Sequence, residues 1–147
     1  MLNEITAYLS KALITNVTHI DSDISLAIGA YKLWITCYWR LEKDSRILVG
    51  NDNLVELRQH EDYKDDYDDT VQSIKEYLIG TVITEVSYSQ WNELTLNFSS
   101  GHVLRTFLTN GQEEDDADCF QFYLTKQRYI VMPQGVELED LGPFYKS

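Results

Sequence analysis

Apolar residues recur along this chain at two periods, and the switch from one to the other happens twice. Ile5, Leu9 and Ala12 with Leu13 share one face at helical spacing, and Val71, Ile74 and Leu78 do the same further on. Asp68, Asp69 and Thr70 offer carboxylates and a hydroxyl to the free N–H groups of a helix start, and Gly80 suits the end of that helix. Alternation follows each helix. Ile24, Leu26 and Ile28 take every second place, and "GA" at 29 to 30 predicts a two-residue hairpin turn. Tyr31, Leu33, Ile35, Cys37, Trp39 and Leu41 then line one face of what reads as one long strand, with Lys32, Trp34, Thr36, Tyr38 and Arg40 on the other. In the second half Leu94, Leu96 and Phe98 alternate, "SSG" at 99 to 101 turns, and 103 to 108 returns. "CFQFYL" at 119 to 124 and "RYIVM" at 128 to 132 predict the last two strands, with both prolines, Pro133 and Pro143, beyond them.

The chain contains itself twice. "ITAYLSKALITNV", from residue 5, and "IKEYLIGTVITEV", from residue 74, agree at Ile5/Ile74, Tyr8/Tyr77, Leu9/Leu78, Ile14/Ile83, Thr15/Thr84 and Val17/Val86. Average composition gives roughly one agreement in such a window. With a one-residue slip, "ISLAI" at 24 matches "LTLNF" at 94. After an insertion in the second half, "WRLEKDSRILV" at 39 matches "FYLTKQRYIVM" at 122, aligning Leu41/Leu124, Lys43/Lys126 and Ile47/Ile130. The expected fold is α+β: a mostly antiparallel sheet with two helices on one side, built by internal duplication of a helix-plus-strands unit. The 147 residues make a single domain, with units at about 3–50 and 70–133 joined by an acidic connector at 51–69.

Hydrophobic residues make up 44% of the chain and aromatics 12%, a globular composition. No apolar run has the length of a membrane span, and the N-terminus lacks the basic and apolar regions of a signal peptide. The expected location is the cytoplasm, away from membranes. The net charge is -12, which repels nucleic acid and attracts basic partners. That charge is concentrated. "HEDYKDDYDDT" at 60 to 70 nets -5 and "EEDDAD" at 113 to 118 nets another -5, leaving a nearly neutral scaffold.

Three readings of the acidic runs stand side by side. They are solvated loops, or they meet a basic protein, or they hold a metal. The metal reading is weak, because "DYKDDYDD" lacks the central Gly and closing Glu of a calcium loop. No metal and no cofactor is expected. Tyr63 and Tyr67, interleaved with carboxylates, supply rigid anchors beside steering charge, as protein interfaces do. The candidate partner-binding residues are Glu61, Asp62, Tyr63, Asp65, Asp66, Tyr67, Asp68 and Asp69 in the first run, and Glu113, Glu114, Asp115 and Asp116 in the second.

Signals for catalysis are poor. The chain has no nucleophile elbow, no zinc-protease helix and no phosphate loop, so it reads as a non-enzyme. His19, His60 and His102 are scattered and read as structural. Cys37 and Cys119 have no metal spacing and read as buried free thiols. An alternative function is a small-ligand module, in which Trp34 and Tyr38 line a pocket in a curved sheet.

The segments "WRLEKDSRILVGNDN", from residue 39, and "LIGTVITEVSYSQWNELTLNFSSGHVLRTF", from residue 78, carry a resemblance. A Trp-containing strand, a glycine-ended turn, then a helix-end glycine and strand pairs resemble bacterial immunity proteins of contact-dependent growth inhibition and related polymorphic toxin systems. The resemblance implies a cytoplasmic inhibitor that covers or distorts the active site of a cognate toxin C-terminal domain. Many such toxins are nucleases with basic clefts, so an acidic surface would take the place of nucleic-acid phosphates.

Overall fold

The computed structural model describes residues 1–20, 23–51, 63–108 and 119–142. Two helices and eleven strands occur among them, in the order α1 (Leu2–Leu9), β1 (Asn16–Ile20), β2 (Asp23–Ile28), β3 (Tyr31–Ile35), β4 (Tyr38–Lys43), β5 (Arg46–Gly50), α2 (Tyr63–Leu78), β6 (Ile83–Tyr88), β7 (Leu94–Phe98), β8 (Val103–Phe107), β9 (Phe120–Tyr123), β10 (Gln127–Met132) and β11 (Gly135–Asp140). The fold class is α+β, as expected. The strands form two antiparallel sheets rather than one, with orders β1-β2-β3-β9-β10-β11 and β5-β4-β8-β7-β6.

The topology explains the internal repeat. Each half follows its helix with a three-stranded meander, β1-β2-β3 or β6-β7-β8, and then sends a hairpin across to the other half's sheet. Thus β4-β5 docks on β8, and β9-β10 docks on β3. The two sheets are the same five-stranded object twice, with β11 added to the first.

Matching positions meet each other across the centre. Leu13 forms a bridge with Val82, the ninth letter of one repeat facing the ninth of the other. The Ile14 N–H donates to the Thr81 carbonyl, and the Ile83 N–H donates to the Ala12 carbonyl, both at 2.9 Å. The N–H groups of Lys11 and Gly80 reach the carbonyls of Ile83 and Ile14 at the same distance. Each bond is the image of the other, as in a two-fold dimer interface.

The expected strand at 31–41 breaks at Thr36 and Cys37, where the chain passes from one sheet to the other. The alternation survives the break because both sheets face one core. Leu33, Ile35, Cys37, Trp39 and Leu41 are all buried in the same cluster as Ile5, Leu9, Ile74, Leu78, Phe120 and Phe122. The helices do not lie on one side of a sheet. From α1, Tyr8 packs on Tyr31 and Phe122 of the first sheet while Thr6 hydrogen-bonds Tyr88 of the second. From α2, Tyr67 reaches His19 of the first sheet and Tyr77 stacks on His102 beside the second.

Three further corrections concern element ends. α1 stops at Leu9, so Ala12 and Leu13 lie beyond it. α2 begins at Tyr63, one turn before the predicted start at Asp68. β11 follows Pro133, which sits in the turn after β10 instead of beyond the last strand. The Gly29 turn forms as expected, with φ at +68° joining Ile28 to Tyr31.

Candidate functional site

The acidic run at 60–70 is not a loop where it is described. Residues 63–70 form the first two turns of α2. Tyr67, Val71, Ile74 and Leu78 recur at helical spacing and are all buried, so the apolar stripe starts at Tyr67. Carboxylates at this end suit the positive pole of the helix dipole, by about 0.3–1 kcal/mol each when exposed. Mutual repulsion at i, i+3 or i, i+4 is only about 0.2–0.5 kcal/mol per pair, so ordering wins. Lys75 in the last turn completes the complement.

Tyr67 does not offer itself to a partner. It is 8% exposed, its hydroxyl lies 2.7 Å from His19 Nδ1, and the two rings meet edge to face at 5.0 Å. It ties α2 to β1. Asp66 and Asp68 flank this buried stripe, and Asp69 points opposite it. All three are exposed, and among the described residues none has an ion pair. For Tyr63 and Asp65 only the helical backbone is described. Glu61, Asp62, Glu113, Glu114, Asp115 and Asp116 lie outside the described residues, as does the expectation that 113–118 is an exposed insertion.

A second surface, of opposite sign, lies on the outer face of the β4-β5-β8 sheet. Arg40 faces Arg105 across the β4-β8 ladder, and Glu42 bridges them, 2.7 Å from Arg40 Nε and 3.0 Å from Arg105 Nε. Burial works to raise the Glu42 carboxyl, but the Arg40 hydrogen bond and the two guanidinium charges outweigh it and hold the group below the ordinary carboxylate value. The Arg40 guanidinium also sits 4.5 Å over the Phe107 ring. Tyr38, Trp39, Arg40, Ile47, Asn51 and Phe107 are among the residues lining a groove of about 330 Å³ beside β5.

This groove corrects the pocket expected from Trp34 and Tyr38. Trp34 is on β3 in the other sheet, near Tyr123, and it does not line the groove. Sequence alternation had placed Tyr38 and Arg40 off the core face. Their neighbours Arg105 and Phe107 come from the other half of the chain, and no local signal links them.

The two described histidines are structural. His19 holds Tyr67. His102 is buried with Nδ1 2.7 Å from Ser100 Oγ, and its Nε2 has no hydrogen-bond partner among the described residues. Burial, then the nearby Lys43 charge, push its pKa down, so the ring is neutral. Among the described residues no cluster of His, Cys, Asp and Glu is placed to hold a metal ion, and no helix is long and apolar enough to cross a membrane.

Compared with protein-family models, curated proteins and solved structures, the chain finds no match.

Proposed function

We propose that this chain is an immunity protein: a non-catalytic inhibitor that captures a cognate basic toxin domain through the acidic start of α2. The toxin class implied by the chemistry is a nuclease, whose substrate cleft is cationic because it binds phosphates. One observation carries the reading. Asp66, Asp68 and Asp69 are exposed, free of ion pairs among the described residues, and fixed on a helix that Tyr67 anchors to the core. An ordered anionic surface with no ion pair among the described residues is complementary to a cationic cleft, and it speeds encounter by steering.

The test takes the C-terminal domain of a large secreted protein sought in the neighbouring reading frame, with capture followed by stopped-flow fluorescence. The association rate should fall about ten-fold or more as salt rises to screening levels. The triple variant D66N/D68N/D69N should slow capture and lose protection of cells expressing the toxin while keeping its circular dichroism spectrum. Unchanged capture and protection by the triple variant would sink the charge-docking mechanism.

A further inference from the structure

The two sheets are built alike as far as their fifth strand, and there they part. In the first sheet the order runs β3-β9-β10 and then β11; in the second it runs β8-β4-β5 and stops. β5 occupies the place of β10, and no described strand pairs with its other side. The matching edge in the same molecule therefore shows what such an edge accepts.

β11 reads "GVELED" and lies antiparallel to β10, with Arg128 opposite Glu139 and Gln127 opposite Asp140. Arg128 Nη2 meets Glu139 Oε1 at 3.0 Å, and Gln127 Nε2 meets Asp140 Oδ1 at 2.9 Å. Cationic and amide side chains next to the β9-β10 turn thus hold the acidic end of the added strand.

The β5 edge repeats these terms in part, with Arg46 in the place of Gln127 and Ile47 in the place of Arg128. Asp44 and Ser45 both have positive φ, 53° and 63°, which makes the β4-β5 connection a two-residue hairpin of the type that matches strand twist. Lys43 and Arg46 flank it as a pair, so they exchange the hydrogen bonds nearest the turn. The next pair, Glu42 and Ile47, does not, and the N–H and C=O of Ile47 point to the open side. Ile47 is 61% exposed and Leu48 is 40% exposed, so no described residue covers this stretch. Lys43 lies opposite Arg46 on one face of the sheet, and Arg40 and Arg105 lie on the other face with Glu42 between them. Arg40, Lys43, Arg46 and Arg105 outnumber Glu42 and Asp44, so in a chain of net charge -12 this described edge is cationic.

We propose that β5 accepts an extended segment of a partner protein, antiparallel and alternating apolar with acidic residues, so that the second sheet gains the sixth strand the first already has. An acidic residue of that segment lies against Arg46, and an apolar one enters the groove beside Tyr38, Ile47 and Phe107. The bulge at Leu48, between the pairs Glu42–Ile47 and Leu41–Val49, bends the edge and confines pairing to the end near the turn. A second copy of this chain is the poorer occupant, since pairing through β5 brings two cationic edges together. The inference is independent of the acidic helix, which engages a basic surface.

The test uses the full chain, labelled for NMR, and a peptide of residues 134–141 offered in trans. A scrambled peptide of the same composition is the control. Saturable shifts and slowed amide exchange at Ile47 and Leu48 are expected with the first peptide and not the second. Arg46→Glu, at an exposed position, should weaken binding about five-fold and leave the remaining spectrum unchanged. Equal binding of the scrambled peptide, shifts confined to β10, no effect of Arg46→Glu, or a dimer formed through β5 would each overturn the proposal.

Discussion

The sulfur atoms of Cys37 and Cys119 lie 3.3 Å apart, each at a point where one half of the chain leaves its own sheet for the other's. The N–H groups of Thr36 and Cys37 both approach the Cys119 carbonyl at 3.3 Å, so the first crossover meets the second half at Cys119. Both thiols are buried and free. The hydrogen bond to Cys119, and then burial, push the Cys37 thiol up, while the bond from Cys37 draws Cys119 down. The pair therefore releases at most one proton under ordinary conditions.

Inert thiols follow from this burial. Ellman's reagent at mild alkaline pH should label neither cysteine in the folded protein and both in denaturant. Cys119→Ala should cost about 1 kcal/mol, the scale of a methyl-sized void, in urea unfolding. Rapid labelling of the native protein would mean that the Cys37–Cys119 contact opens.

Lys11 and Gly80 hold the same place in the two repeats, and both are left-handed, at φ 64° and 86°. Only glycine takes that conformation without strain, and a Cβ at Gly80 would meet nothing within 4 Å. Backbone strain alone thus separates the two sites. Gly80→Ala should lower stability by about 1 kcal/mol and Lys11→Gly should raise it by a similar amount, less the added entropy of the unfolded chain. Opposite shifts in urea midpoint are the check, and shifts of the same sign would break the equivalence of the two positions.

The duplication and the inward faces of β2, β7 and residues 31–41 were legible in the sequence, because strand period and helix period survive there, whereas β1, β5 and β6 were not read as strands. The exchange of hairpins was not. A strand that changes sheets keeps its alternation when both sheets share a core, so residues 31–41 read as continuous. The alignment of the last hairpin was also off by two. It paired Lys43 with Lys126, yet Lys126 lies in the turn that answers Asp44 and Ser45. A slip of two leaves every side chain on its own face, and the pattern cannot detect it. β11 was missed because half of its residues are acidic and most are exposed. The acidic start of α2 was read as a loop because charge masked Tyr67, which sits one turn ahead of Val71.

Tyr129 on β10 donates a hydrogen bond to Glu4 on α1, joining the helix to the first sheet. That bond, and then burial, push the phenol from its ordinary value up to about 12. The folded state therefore keeps a proton that the unfolded chain gives up near pH 10. The stabilisation is complete below that pH and is lost as pH rises through about 12. Tyr129→Phe should cost about 1.5–3 kcal/mol at neutral pH, as for a hydrogen bond to a charged group, and should flatten the decline of stability between these values. An unchanged alkaline profile in the variant would show that another group carries it.

The exchanged hairpins make each half dependent on the other. Without the second half, β4 loses β8 and β3 loses β9, so a chain ending after Asn51 keeps two separate pieces of sheet and no partner for either. Each piece exposes the core face of Leu33, Ile35, Trp39 and Leu41, which in the whole protein is closed by Phe120, Phe122, Leu96 and Leu104. The burial that offsets chain entropy is shared between halves, and neither can supply it alone. A fragment of residues 1–51 and a fragment of 63–147 should each be unfolded by circular dichroism and amide dispersion. Mixed from denaturant, they should recover the native spectrum in a one-to-one complex, because the ladders β4-β8 and β3-β9 form between them. The repeated contacts at Leu13 and Val82 add to that assembly. A first fragment that folds by itself, with the shifts of the intact protein, would show that the sheets are self-sufficient and that the exchange has no energetic weight.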